Sequence, residues 1–241
     1  MLRILSDQNQ IDQSRTSLRN LGCDTSRGWR RWLFKTLYRL RFRTPAPAVA
    51  FNKSWDILTL LETIQRYCPE PASQIFDMGS YNSEAPLALW SAKYRNIRAA
   101  DFNPLGRSIN WYGNRIQFKC ENFYEPDIKP NSLDVITAVS VIEHGYDQKR
   151  LIQTINRLLK KGGIAILTTD YHQEKIRIAE DYRLFGLPYQ IFSQQEIQSL
   201  LSDAVLAGLK PLGDLQWTPS QYPISFLGNQ MTFLLLALKK E

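Results

Sequence analysis

The residues most able to do chemistry in this chain fall in five short clusters, each just after a short apolar run. They are Asp77-Met78-Gly79-Ser80-Tyr81-Asn82-Ser83, Asp101-Phe102, Glu121-Asn122-Phe123, Ser140-Val141-Ile142-Glu143-His144 and Asp170-Tyr171-His172. Ligands of an open parallel sheet bind beyond the carboxyl ends of its strands, near the point where strand order reverses, so clusters in these places predict a binding site. Asp101 stands 22 residues beyond Gly79. An acid at that separation, closing the second strand, can accept hydrogen bonds from ribose hydroxyls, which predicts a nucleoside ligand. The plain alternative is a surface acid capping a helix begun by Asn103-Pro104.

The elements that must position these residues follow from hydrophobic rhythm. QIFDM, NIRAAD, RIQFK, LDVITAV and GIAILTT read as five buried strands, with helices near 84–94, 104–112 and 147–160. Such alternation implies parallel strands joined by right-handed crossovers. A helix over 193–206, then AGLKPLGDLQW and MTFLLLALKK, read as one more helix and two more strands. The last two lie too close in sequence for a parallel crossover, so the final strand is expected to return antiparallel. Upstream, Trp55, Leu58, Leu61 and Ile64 recur at helical spacing after Ser54, and Pro69 and Pro71 close that helix. The fold expected is an α/β, Rossmann-like, seven-stranded and mostly parallel sheet. Its last strand is antiparallel, helices cover both faces, and an N-terminal helical extension precedes it. Residues 1–54 form that extension and 55–241 the main domain.

Composition narrows the class further. The chain has 241 residues, 44% apolar and 12% aromatic, enough for one large core. No apolar run reaches 18 residues and the N-terminus lacks a signal-peptide pattern, which predicts a cytoplasmic protein. Cys23, Cys68 and Cys120 sit outside any CxxC pattern and predict reduced thiols. With His144 and His172 the only histidines, no protein-built metal site is expected.

PNSLDVITAVSVIEH (130–144) followed by LLKKGGIAILTT (158–169) resembles the fourth and fifth motifs of class I S-adenosylmethionine-dependent methyltransferases, above all the small-molecule branch called type 11. The resemblance covers about residues 72–170. It implies S-adenosylmethionine as cofactor, with Asp77, Gly79 and Ser80 on the first motif, Asp101 on the ribose and Phe102 beside the adenine. It also puts Asn122, with Phe123 next to it, where an aspartate usually meets the adenine amino group, and Ser140 at the end of the fourth strand. His144, facing the cofactor's methyl end, is the candidate base for an oxygen acceptor, its alternative role being a hydrogen bond to a neighbouring loop.

The same comparison exposes two departures. The family pattern has glycines two and four residues after Gly79, where this chain has Tyr81 and Ser83. A Cβ costs on the order of 1 kcal/mol or more where φ is positive. Either Tyr81 turns away or lines the acceptor site, or it closes the pocket and leaves an inactive binding or scaffold protein on a methyltransferase fold. The function expected is methyl transfer to a small-molecule or lipid- or glycan-linked acceptor. A dehydrogenase is excluded, since no GxGxxG is present. Aromatics in 172–192, notably Tyr182, Phe185 and Tyr189, are expected over the acceptor; His172 either borders that pocket or belongs to an ordinary loop, and Trp111 and Tyr112 are expected to pack.

Charge is concentrated in one place. Lys and Arg exceed Asp and Glu by 30 to 23, and residues 27–43 (RGWRRWLFKTLYRLRFR) carry seven basic residues and no acid. Trp29, Leu33, Leu37 and Leu40 share one helical face, with Phe34, Tyr38 and Phe42 on the other. This composition suits peripheral contact with an anionic membrane; nucleic-acid binding is the least expected use. The plain alternative is a helix lying over the domain. Residues 1–26, polar and weakly patterned, are expected to be loosely packed.

Overall fold

A computed structural model of the chain describes residues 1–23, 36, 53–81, 83–104, 112 and 115–241. Its sheet is built on five parallel strands: β2 (Gln74–Met78), β3 (Asn96–Asp101), β4 (Gln117–Cys120), β5 (Leu133–Val139) and β6 (Leu159–Tyr171). Their order is β6-β5-β2-β3-β4. The chain thus runs outward from β2 through β3 to β4, then returns to the other side of β2 with β5. The reversal falls between β2 and β5, whose carboxyl ends become the place for a ligand.

The central strands β2, β5 and β6 are buried on both faces while the edge strand β4 is partly exposed, and side-chain alternation divides the core in two. Ile75, Val135, Ile164 and Ile166 pack beneath α1 (Gln8–Asn20), α2 (Ser54–Tyr67) and α3 (Ala85–Ser91). Phe76, Met78, Ile136 and Leu167 pack beneath α4 (Gln148–Leu158) and α5 (Gln194–Leu206). Helix starts are chemically marked. Asp147 accepts from the Arg150 N–H at 3.0 Å, and Ser193 and Glu196 form a reciprocal capping box. Gly163, near the start of β6, has a steric reason: a Cβ there would lie 3.1 Å from the Leu133 carbonyl oxygen and 3.0 Å from that of Lys160.

Beyond β6 the final strand, β11 (Asn229–Lys240), returns antiparallel as expected. Its outer edge is covered by two short pieces in tandem. β9 (Leu209–Pro211) pairs with Leu238–Lys240, and β1 (Leu2–Ile4) pairs with Leu234–Leu236. The first residues are therefore not loosely packed. Leu2 and Ile11 are buried, and the Leu5 N–H donates to the Phe233 carbonyl. What the sequence reading lacked was the free edge of β11, which supplies backbone partners to any short apolar segment able to reach it.

The region 172–192 holds a small hairpin, β7 (Arg183–Leu184) with β8 (Leu187–Pro188), while β10 (Ile224–Phe226) folds onto the start of β11. Both lie above the carboxyl ends of the parallel strands. The basic segment 27–43, apart from Thr36, and the helix expected over 104–112, apart from Pro104 and Tyr112, lie outside the described residues.

Candidate functional site

The loop after β2 is a tight turn held from three sides. Gly79 has φ +73°, and a Cβ there would sit 2.4 Å from a methyl of Val141, so this position combines a left-handed backbone with a close approach from the loop after β5. The N–H groups of Gly79 and Ser80 both donate to the Ala100 carbonyl of β3, at 2.8 and 3.1 Å. The Tyr81 N–H then donates to Asp101 Oδ2 at 3.0 Å, while Asp101 Oδ1 accepts from the Asn103 N–H at 2.7 Å. Both Asp101 oxygens are thereby aimed, each with a lone pair to spare for a ligand. Burial raises the Asp101 pKa, against the two backbone donors.

Asp77 serves this loop from below. Its carboxylate is buried and accepts from Thr137 Oγ1 at 2.5 Å and from Ser80 Oγ at 2.6 Å. Burial pushes its pKa up to about 6, against those two hydroxyls. From the far side the Tyr112 hydroxyl lies 2.8 Å from the Ser80 carbonyl oxygen and 3.0 Å from that of Ser83. Tyr81 and Ser83 are not among the described non-glycine residues with positive φ, so neither pays the left-handed cost that the family pattern suggests. Ser83 also has its own task, accepting the Ala85 N–H at the start of α3 at 3.1 Å.

The loop after β5 supplies the second wall. Ser140 takes φ +54°, and its N–H is within reach of the Thr168 carbonyl and hydroxyl. Its Oγ is buried without a hydrogen-bond partner, as is Nδ1 of His144. Both residues line the cavity, although these two atoms are themselves buried from it. Burial lowers the His144 pKa, with Asp170 opposing, which keeps the imidazole neutral and able to accept a proton. The ring stands edge-on to Phe185, centroids 5.4 Å apart.

A single cavity of about 660 Å³ joins these parts. One half is lined by Gly79, Tyr81, Asp101, Phe102, Phe123 and Ser140. There Phe102 and Phe123 pair at 5.0 Å, beside Asp101, as an apolar surface for a flat ring. The other half is roofed by Leu184, Phe185 and Leu187 of the hairpin, with Phe226 and Phe233 as walls. Its floor is polar: Lys53 Nζ lies 3.3 Å from Asp170 Oδ1 and 3.6 Å from Asp56 Oδ2, and the Tyr189 hydroxyl donates to Asp170 Oδ2 at 2.5 Å. Thr169 Oγ1 donates to Glu143 Oε2 at 3.1 Å.

Charge on that floor is set by burial. Burial, then the neighbouring Asp170, push Glu143 up to about 8, against the pull of Lys53. Burial pushes Asp56 up to about 6. For Lys53 burial works downward, but Asp56, Asp170 and Glu143 outweigh it and hold the ammonium above the usual lysine range. A buried acid with a raised pKa binds its proton more tightly folded than unfolded. Its contribution to stability is complete below the unfolded pKa of about 4.5 and is lost as pH rises toward 8. His144 acts oppositely, but only as pH falls through 6.5 and below. Urea unfolding at pH 6.5, 7, 7.5 and 8 should therefore show Glu143→Gln gaining stability relative to wild type as pH rises. Parallel profiles would refute the assignment.

Of the residues singled out from sequence, Gly79, Asp101, Phe102, Phe123, Ser140 and His144 line the one cavity. Asp77 and Ser80 stand behind the loop and brace it. Asn122 is not among the cavity-lining residues; its Oδ1 accepts from the Tyr124 N–H at 3.1 Å in a local turn. His172 stacks on Tyr222 at 4.3 Å, outside the cavity lining. Lys53, Phe226 and Phe233 went unforeseen. Phe226 and Phe233 read as ordinary strand residues, and nothing local to Lys53 signals a partner 117 positions away.

This strand order, with a glycine turn after β2 and an acid ending β3 over a shared cavity, defines the class I S-adenosylmethionine-dependent methyltransferase fold. Residues 76–167 match the family model of a methyltransferase domain. Among curated proteins no sequence match was found. Solved structures similar to it include the Burkholderia thailandensis 1,6-didemethyltoxoflavin-N1-methyltransferase with bound 1,6-didemethyltoxoflavin and S-adenosylhomocysteine. That pair is 14% identical, with TM-score 0.59 over 87% of this chain and 86% of the other. The geranyl diphosphate C-methyltransferase of Streptomyces coelicolor A3(2) is 12% identical, with TM-score 0.53 over 80% and 83%. The [4+2]-cyclase SpnF is 16% identical, with TM-score 0.58 over 82% and 86%. No described helix is long and apolar enough to cross a membrane.

Proposed function

We propose that the protein transfers the methyl group of S-adenosylmethionine to a small molecule, free or carried on a lipid or glycan, held in the half of the cavity under the 183–188 hairpin. The observation that carries this reading is the meeting of Gly79, Asp101 and Ser140 over one cavity that continues past His144 into an aromatic chamber. Asp101 would hold the ribose, Phe102 and Phe123 the adenine, and the cramped Gly79 turn the amino-acid end. When bound, the cofactor supplies an electrophilic methyl on a sulfonium. The chain's part is alignment and exclusion of water, for which the hairpin and the apolar walls suit. His144, neutral and lining the cavity, would take the proton of an acceptor hydroxyl. The match of residues 76–167 to a methyltransferase-domain model supports methyl transfer more than fold does, since a cyclase shares the fold.

Two further readings go with this one. The free cysteines Cys23, Cys68 and Cys120 suit a cytoplasmic setting. Residues 27–43 would give the chain a peripheral foothold on an anionic membrane.

Calorimetric titration with S-adenosylhomocysteine tests the cofactor half. Micromolar binding is expected, and Tyr81→Gly should change it only a few-fold, because Tyr81 bears no left-handed strain to relieve. Absence of binding to the wild type, with recovery in Tyr81→Gly, would mean that the tyrosine closes the site and would overturn the reading.

A further inference from the structure

Among the described residues the acceptor half of the cavity is rich in hydrogen-bond acceptors and poor in free donors. Glu143, Asp170 and His144 all line it, and Asp56 lies just behind. Against these three carboxyl groups the described lining offers one ammonium, that of Lys53, and it is already shared between Asp170 and Asp56. A buried carboxylate left short of positive charge is costly, and a ligand that brings the charge recovers that cost.

The walls favour the same kind of ligand. Tyr189 and Phe226 pack edge to face at 5.2 Å, and Phe185 stands across His144. Aromatic faces attract a cation through the ring quadrupole, more strongly when water is excluded. The chain itself demonstrates this: Lys53 Nζ lies 3.6 Å over the Phe233 ring centroid while bonded to Asp170. An anionic acceptor finds the reverse of what it needs, since no second described cation lines the cavity. In this the chamber differs from one suited to a diphosphate, the kind of ligand bound by the Streptomyces neighbour.

We propose that the acceptor is a small, largely apolar molecule carrying a basic nitrogen, and that this nitrogen is recognised as an ammonium against Asp170, with Glu143 alongside and the Tyr189 and Phe226 rings as one wall. Lys53 is the resident cation that the ligand's ammonium joins, and it sets how much negative charge remains for the ligand. The proposal rests on the methyltransferase reading only for the word acceptor; the preference for a cation belongs to the chamber itself.

Three probes with one aromatic body and different heads test it: 2-phenylethylamine, 2-phenylethanol and 3-phenylpropionate. Each is titrated at pH 7 into the full-length protein, with and without saturating S-adenosylhomocysteine. The amine is expected to bind about tenfold more tightly than the alcohol, and the carboxylate more weakly than both. Asp170→Asn should shrink the preference for amine over alcohol to within about threefold, and Lys53→Gln should widen it by about tenfold, with the alcohol little changed. Should Asp170→Asn fail to fold, the Lys53→Gln comparison decides alone. Failure of the amine to bind at millimolar concentration, equal binding of the carboxylate, or a preference indifferent to Lys53→Gln would each overturn the proposal. Because the probes are also titrated without cofactor, loss of S-adenosylhomocysteine binding overturns only the methyltransferase reading. Cofactor binding without amine preference overturns only this inference.

Discussion

Gly79→Ala is expected to destabilise the protein by about 3 kcal/mol and to abolish measurable binding of S-adenosylhomocysteine. Two costs add at this position. A left-handed backbone costs a non-glycine residue roughly 1 to 2 kcal/mol, and forcing a methyl into a packed site costs roughly 1 to 3 kcal/mol. Here φ is +73° and the new Cβ would lie 2.4 Å from a Val141 methyl. The turn can relax only by pulling Gly79 and Ser80 away from the Ala100 carbonyl, which would loosen the Tyr81 N–H from Asp101. Urea unfolding beside calorimetry reads both effects. Gly79→Ala combined with Val141→Ala separates the two costs, since Val141→Ala removes the methyls at 2.4 and 3.0 Å and leaves only its Cβ at 3.3 Å. The double variant should recover the packing part, about half the loss, while the backbone part persists. A single variant as stable as wild type would mean that the two loops do not meet as described.

Gly79 also marks the limit of what the sequence could convey. That a glycine belongs after β2 was legible from its place behind QIFDM, and Asp101 from its separation from Gly79. The central strands β2, β5 and β6 were legible because each is buried on both faces and reads as a short apolar run, and β3 and β4 because apolar residues alternate with polar ones in NIRAAD and RIQFK. The details that decide function depend on contacts between distant elements. The family pattern flags Tyr81 as a strained substitution, yet its backbone is not left-handed; the left-handed residue that matters is Ser140, which no residue-type rule would select. Asn122 was a reasonable adenine partner by position, but its side chain closes a local turn on Tyr124, a competition that short polar side chains enter readily. Leu2–Ile4 is too short for any periodicity to appear, and only the open edge of β11 makes it a strand. Lys53 gains its meaning from Asp170 and Phe233, which the fold brings to it.

Asp101→Ala carries the other large effect: S-adenosylhomocysteine binding is expected to weaken about a hundredfold, equivalent to roughly 3 kcal/mol for two charge-assisted hydrogen bonds. Stability should change less than in Gly79→Ala, because Asp101 closes β3 at the cavity rather than in the core. Asp101→Asn tells more about the site. The carboxylate accepts an N–H at each oxygen, from Tyr81 and from Asn103. An amide offers one oxygen and one NH2, so one of those backbone donors would face another donor. Asparagine should therefore perturb the loop although it is nearly the same size, and binding should fall by at least about tenfold. Ligand affinity should also fall with acid, since the ribose hydroxyls need the ionised carboxylate and burial has raised its pKa. The wild type should bind less tightly at pH 4.5 than at pH 7, with the Asp101→Ala profile flat. An Asp101→Ala protein that binds as well as wild type would remove the ribose from this strand end, and with it the cofactor pose on which the whole site is built.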